Sequence, residues 1–338
     1  MAVHQAIFYH LISGQTYEYP HLLGINLPLP VLHGVLLYFY VLEATGKGNI
    51  KVKYKLIHLT PSIFLAILAI PFFILSAEEK IYVFKNDGVG FEWYLLIHQF
   101  LMITCGITYC IWALILIKKH QKNLKDNFSN TDKKELQWLR YLTFGLSLIW
   151  ILAIFFDEKV VFASIVVFIL FIGIFGINQT NIFKAEIKEF ESENGSQAKP
   201  QSKTLSANEI KKRYAKSGLS SVMSDKIYQQ LKEIMRQEAI YKNDNLTLNE
   251  LAKYLSVHPN HLSQVINEKE QKNFYNYINT LRIEEFIKLA SLPENKKYTM
   301  ISLAFDCGFN SKSTFNKHFK AFTSKTPTEY FKTDKTNN

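Results

Sequence analysis

LAFDCGF (Leu303–Phe309), followed at once by SKSTFNKHFKAF (Ser311–Phe322), decides how the C-terminal part of this 338-residue chain folds. Both runs carry apolar residues at helical spacing, and between them Gly308 supplies a tight turn that lets the second helix leave at a steep angle. The pattern occurs a second time upstream. LTLNELAKY (Leu246–Tyr254) reads as a supporting helix, with Thr247 as N-cap, Glu250 at the capping-box position, and Leu248, Leu251 and Ala252 facing inward. HPNHLSQVIN (His258–Asn267) follows as its second helix, with His258 in the cap position and Pro259 in the first turn. Two such helix, turn, helix units predict a domain that presents a helix to the major groove of DNA, twice.

Upstream of this domain the chain changes character. A mean hydropathy of -0.01 averages an apolar front half with a polar back half. Five stretches are long and apolar enough for a bilayer core of roughly 30 Å, which takes about 20 helical residues. They are Leu22–Leu42, Leu56–Leu75, Trp93–Ile117, Leu139–Phe156 and Val160–Ile177. Ala2–Ile12 is apolar but short and lacks a basic leader, so it reads as the remnant of a further span rather than a signal peptide. Pro28, Pro30, Pro61 and Pro71 are expected to start or kink helices here.

Loop charges orient the spans. The first loop holds Lys47, Lys51, Lys53 and Lys55, and the third holds Lys118, Lys119, Lys122, Lys125, Lys133 and Lys134. Between them, Glu78, Glu79, Asp87 and Glu92 outweigh Lys80 and Lys85. Basic loops stay in the cytoplasm, which predicts a multi-pass protein of a bacterial cytoplasmic membrane with its C-terminal domain on the cytoplasmic side.

The net charge of +10 and pI of about 9.2 suit either a nucleic-acid binder or an inner-face membrane protein. From Leu205 onward Lys and Arg exceed Asp and Glu by about seven, which favours a phosphate-rich partner for that half. Cys105, Cys110 and Cys307 form no CxxC pair and read as reduced packing residues. His33, His58 and His98 fall at different depths in the spans, with no carboxylate to complete a metal site, so structural roles are expected. No metal, cofactor or catalytic group is predicted: a phosphate-binding Gly loop, HExxH, a Ser nucleophile elbow and nucleotide boxes of the histidine-kinase kind are all absent from the sequence.

Lys184–Ser206, containing ESENGSQAKPQSK, has no hydrophobic period and reads as a linker, with Phe183–Phe190 able to extend the last span as a stiffer rod. About 20 residues of flexible coil span only about 25 Å, which would hold the DNA reader close to the membrane. Beyond it, Ser224–Glu238 places Ile227, Leu231, Ile234 and Met235 on one face, with Ser224 as the expected cap. The organisation expected is residues 1–182 as a transmembrane sensor region, 183–223 as linker and 224–338 as the soluble domain.

From Leu246 to Tyr330 the chain resembles the DNA-binding domain of AraC-type transcription factors. The resemblance rests on Leu251–Ala252, HLSQVIN, FYNYINTLRIEEFIKLA (Phe274–Ala290), LAFDCGF, STFNKHFK, Thr326–Pro327 and Tyr330, in family order. It implies two helix-turn-helix subdomains joined by a long helix at Phe274–Ala290, with both recognition helices entering successive major grooves. It also implies that Arg282 is held in internal hydrogen bonds. Spans followed by such a domain resemble the membrane-bound members of the family, and PLPVLHGVLLYFYV near Pro28–Val41 is similar to their sensor region. Two departures stand out: Ser324 occupies a position where the family commonly has Gly, and Phe331 one where Arg is frequent.

Helical phase and the resemblance select overlapping base readers. On the first reading helix Asn260, Ser263 and Gln264 are expected on an exposed face, with Leu262, Val265 and Ile266 inward; on the second, Lys312, Ser313, Asn316 and Lys317 are exposed and Phe315 and Phe319 buried. Amides and hydroxyls suit base edges, and Lys suits guanine or phosphate. The fold class expected is all-α, a polytopic transmembrane helical bundle followed by this double helix-turn-helix domain. Its expected function is membrane-bound, sequence-specific transcription regulation. The expected partners are double-stranded DNA, the lipid bilayer, a second copy of the chain and the transcription machinery, and the sensed ligand stays unidentified. The alternative is a membrane receptor or transporter-like protein whose helical tail binds a protein partner.

Overall fold

The computed structural model describes residues 2–132, 134–157, 159–174 and 219–333. The linker Lys184–Ser206, the rod at Phe183–Phe190 and the end of the fifth expected span lie outside the described residues. Among the described residues the fold is helical, with no strand and a single isolated bridge between Phe128 and Thr247. The chain divides into two compact units. Residues 1–120 and 136–197 make the first; Gln121–Glu135 and Ala198–Asn338 make the second.

The described residues of the first unit run through α1 (Ala2–Ile12), α2 (Leu29–Ala44), α3 (Val52–Ile57), α4 (Thr60–Leu68), α5 (Ile70–Phe73), α6 (Ala77–Lys85), α7 (Glu92–Asn127, its last turns from Gln121 belonging to the second unit), α8 (Gln137–Phe155) and α9 (Lys159–Ile174). Of the five expected spans, α7 and α8 are long and apolar enough to cross a membrane. Helices α2 and α9 are apolar but shorter, α9 ending where the described residues end. Leu56–Leu75, expected as one span, is broken into α3, α4 and α5. The cause is local: Pro61 and Pro71 fall in the first turns of α4 and α5, and neither has an N–H to continue the helix before it. At the first break the Thr60 hydroxyl donates instead to the Ile57 carbonyl at 2.7 Å.

A core of Leu37, Val41, Ala113, Ile117, Leu139, Leu146 and Trp150 holds α2, α7 and α8 together. The Trp150 indole lies against Gly106, where any Cβ would sit 2.3 Å from the ring; a small residue lets these helices approach closely. The opposite faces are apolar and uncovered, with Leu96, Phe100, Ile111, Ile115, Leu148 and Phe155 all exposed. His98 bonds the Leu27 carbonyl at 2.7 Å and His58 the Tyr109 hydroxyl at 3.0 Å. No group of three or more His, Cys, Asp or Glu is placed to hold a metal among the described residues.

The second unit contains α10 (Ser221–Glu238), α11 (Leu248–Tyr254), α12 (Pro259–Glu270), α13 (Phe274–Ser291), α14 (Met300–Asp306), α15 (Lys312–Thr323) and α16 (Pro327–Thr333). It has two cores. Ile227, Leu231 and Met235 of α10 pack with Leu251, Leu262, Ile266 and Ile278 in one; Ile283, Phe286, Leu303, Phe315 and Phe319 form the other. Helix α13 serves both, its first half in one core and its second half in the other. Helix α10 starts earlier than its sequence suggests: Ser220 is the cap, its hydroxyl accepting from the Met223 amide, whereas Ser224 is buried inside the helix.

The end of α15 bears on the Gly that the sequence lacks. Ser324 takes the left-handed cap itself, at φ 60°, and its amide donates to the Lys320 carbonyl at 2.9 Å. The helix terminus survives, but an L-residue there is strained. Ser324→Gly is expected to raise the stability of this unit by about 0.5–1 kcal/mol in urea denaturation; an unchanged or lower midpoint would contradict the strain.

Candidate nucleic-acid interface

The two helix-turn-helix units are built alike. In the first, Thr247 and Glu250 form a reciprocal capping box on α11. In the second, the Thr299 hydroxyl caps α14 by accepting from the Ser302 amide. Both supporting helices then end the same way. Val257 N–H donates to Ala252 O at 3.0 Å and Phe309 N–H to Ala304 O at 3.1 Å, across a residue with positive φ: Ser256 at 52° and Gly308 at 94°. The second turn admits only glycine, because a Cβ on Gly308 would lie 2.7 Å from the Lys242 carbonyl oxygen.

Each reading helix is capped at its start. His258 Nδ1 accepts from the Asn260 amide at 3.2 Å, with Pro259 in the first turn of α12. Ser311 Oγ accepts from the Thr314 amide at 3.2 Å at the start of α15. Leu262, Val265 and Ile266 of α12, and Phe315 and Phe319 of α15, are sealed into the two cores.

The outward faces differ in one respect from their sequence reading. Asn260, Lys312, Ser313 and Lys317 are exposed, and Ser263 and Asn316 are half-buried. Gln264 is not exposed. Only 5% of it is accessible, and its Nε2 donates to Glu268 Oε1 at 2.9 Å. The i, i+4 spacing draws the amide along the helix onto the carboxylate, a pairing that helical phase alone does not reveal. His318, next to Lys317, adds no charge: burial first, then the positive charges of Lys317 and Arg282, bring it down to about 4. Its ring packs on Tyr275, centroids 4.9 Å apart.

Between the two units sits Arg282, 1% exposed, on α13. Its Nε donates to Tyr241 O at 2.7 Å and its Nη2 to Asn243 O at 2.7 Å. Nη1 reaches Asn279 Oδ1 at 3.1 Å, and the Ser129 carbonyl and hydroxyl accept from Nη1 and Nη2 at 3.3 and 3.1 Å. Burial brings this guanidinium down to about 10, so it stays charged at neutral pH. The internal role implied by the family resemblance is present. Ser129, 153 residues away along the chain, is a partner that no local pattern announces.

The fold and the site together define a double helix-turn-helix domain, and comparison with known proteins agrees. The profile of a helix-turn-helix domain family, AraC-type in kind, matches residues 251–333. Uncharacterized HTH-type transcriptional regulators of Staphylococcus aureus strains COL, MSSA476 and N315 are each 33% identical over 92 residues. That stretch is 27% of this chain and 12% of each relative. The chain thus spans about one eighth of the length of the curated relatives it matches. No solved structure matches the chain.

Proposed function

We propose that this protein is a membrane-bound, sequence-specific DNA-binding regulator of transcription, multi-pass in a bacterial cytoplasmic membrane, with its double helix-turn-helix domain in the cytoplasm. The observation that carries the reading is the pair of capped helices whose inner faces are sealed in cores while Asn260, Lys312, Ser313 and Lys317 stay accessible. Such a pair suits two successive major grooves, with Asn260, Ser263, Ser313 and Asn316 toward base edges and Lys312 and Lys317 toward guanine or phosphate. Gln264 is left out of the reading set while its amide is tied to Glu268.

Membrane residence is supported by α7 and α8, in which fewer than a third of the residues in the apolar windows are buried by protein. A core helix of a water-soluble protein would be mostly covered, whereas lipid satisfies these faces. Sensing through the apolar half follows from joining the two on one chain, and a second copy of the protein and the transcription machinery are the further partners expected.

Genome-wide mapping of the tagged full-length protein tests the reading. Recovered sites should share a sequence with two half-sites, and bound protein should fractionate with membranes. Scattered, motif-free recovery would contradict it. Lys317→Ala should weaken binding to a recovered site and flatten the dependence of log K on log salt by about 0.9, one phosphate contact. An unchanged slope would remove Lys317 from the contact surface.

A further inference from the structure

Gln121–Glu135, the last turns of α7 and the loop that follows it, precedes α8 in the sequence, yet it belongs to the second compact unit. Its last part touches the start of α11, the connecting helix α13 and the start of the second reading helix α15. Phe128 bridges to Thr247, the cap of α11, and the Ser129 amide donates to the Leu246 carbonyl at 3.1 Å. The Ser129 carbonyl accepts from Asn279 Nδ2 at 3.0 Å and from Arg282, both on the connecting helix α13. Asp132 then takes the start of the second reading helix: Oδ2 accepts from the Ser311 hydroxyl at 2.6 Å and Oδ1 from the Thr314 hydroxyl at 2.7 Å. Ser129 and Thr131 are 1% and 2% exposed.

The geometry points to Phe128–Glu135 as a brace that fixes the separation of the two reading helices, with Ser129 and Asp132 as its positioning residues. The inference rests on the DNA-reading function proposed above. Three features carry it. Helix α13 contributes to both cores, and the turn Tyr241–Asn243 accepts from Arg282 on that helix, so a further element bonded to both subdomains adds a second link between them. The segment bonds to both subdomains and to α13 between them. It also leaves the reading face open: Thr314, which it grips, is buried, whereas Lys312, Ser313 and Lys317 stay exposed beside it. A segment that masked the domain would cover those side chains instead. The Asp132 carboxylate at the positive end of the twelve-residue α15 reinforces the Ser311 cap and so holds that helix at its root. In the chain the segment follows the last turns of α7 and leads, through Leu136, into α8.

The test uses full-length protein in detergent micelles. Selection from a random duplex library first yields the wild-type site, after which duplexes carrying its two half-sites at spacings varied one base pair at a time are titrated. Wild type should favour one spacing by about tenfold, the worth of charge-assisted hydrogen bonds like those of Asp132. Asp132→Ala should flatten that preference to within about threefold, while binding a lone half-site within about twofold of wild type, which also shows that the subdomains are folded. Asp132→Asn, whose amide oxygen still accepts one hydroxyl, should recover part of the preference. If Asp132→Ala keeps the wild-type spacing profile, the brace is refuted; if it binds the paired site more tightly than wild type, the segment opposes binding and the brace is equally refuted. If wild type selects no sequence, the DNA-reading function itself fails and the inference falls with it, an outcome distinct from the other two.

Discussion

Arg282→Met should destabilise the second unit by about 3–5 kcal/mol, the largest single effect expected in this protein. Methionine nearly fills the volume but makes none of the five hydrogen bonds. The carbonyls of Tyr241, Asn243 and Ser129 and the Asn279 side-chain oxygen would each lose a donor, those of Ser129 and Asn279 in a fully buried setting. An acceptor left unsatisfied costs about 1–3 kcal/mol, and partial relaxation keeps the total below the sum. Arg282→Lys retains the charge but not the planar fork, and should recover less than half of the loss. Urea denaturation of full-length protein, followed by amide protection around Leu246 and Asn279, reads both variants. A loss below about 1 kcal/mol for Arg282→Met would mean that the hydrogen-bonded centre contributes little.

Gly308→Ala comes next. A methyl group there would sit 2.7 Å from the Lys242 carbonyl oxygen and 2.9 Å from the Tyr241 carbonyl oxygen, and backbone cannot swing aside as a side chain would. The backbone at φ 94° adds strain of its own for any L-residue. Together these should cost about 3 kcal/mol or more, measured in the same denaturation experiment. The displaced turn is the one that gives Arg282 two of its acceptors, so combining Gly308→Ala with Arg282→Met should cost less than the two separate losses added. Full additivity would show that the turn and the guanidinium act independently. Equivalent substitution at the other turn is informative by contrast, since Ser256 already tolerates a side chain in the same cap.

What the sequence disclosed and what it withheld divide along sequence separation. The capping box of Thr247 and Glu250, the His258 cap, the Gly308 turn and the buried faces of α12 and α15 all arise within a few residues, and each was readable from local chemistry. The break in Leu56–Leu75 was also local, written in Pro61 and Pro71, but hydropathy over a long window overrode it. Gln264 shows a subtler limit. Helical phase puts it on an exposed face, whereas it is buried and its amide donates to a carboxylate one turn away. The contacts of Ser129 and Asp132 had no signal at all, because NFSNTDKK (Asn127–Lys134) has no period and its partners lie far along the chain. The acceptors of Arg282 were foreseeable as a need, since a buried guanidinium must be bonded, but not as particular residues.

That distance along the chain has a consequence for biogenesis. Ser129 meets Asn279 across 150 residues, and Asp132 meets Thr314 across 182. At roughly 5–20 residues per second, a ribosome delivers these partners on the order of ten to forty seconds after the segment itself. Phe128–Glu135 must therefore wait for a mate that does not yet exist. A carboxy-terminal fragment expressed alone would be born without it, leaving two N–H donors of Arg282 without their Ser129 acceptors. Such a piece should be made together with the missing octapeptide, supplied as a second chain, before its behaviour is compared with that of the intact polypeptide.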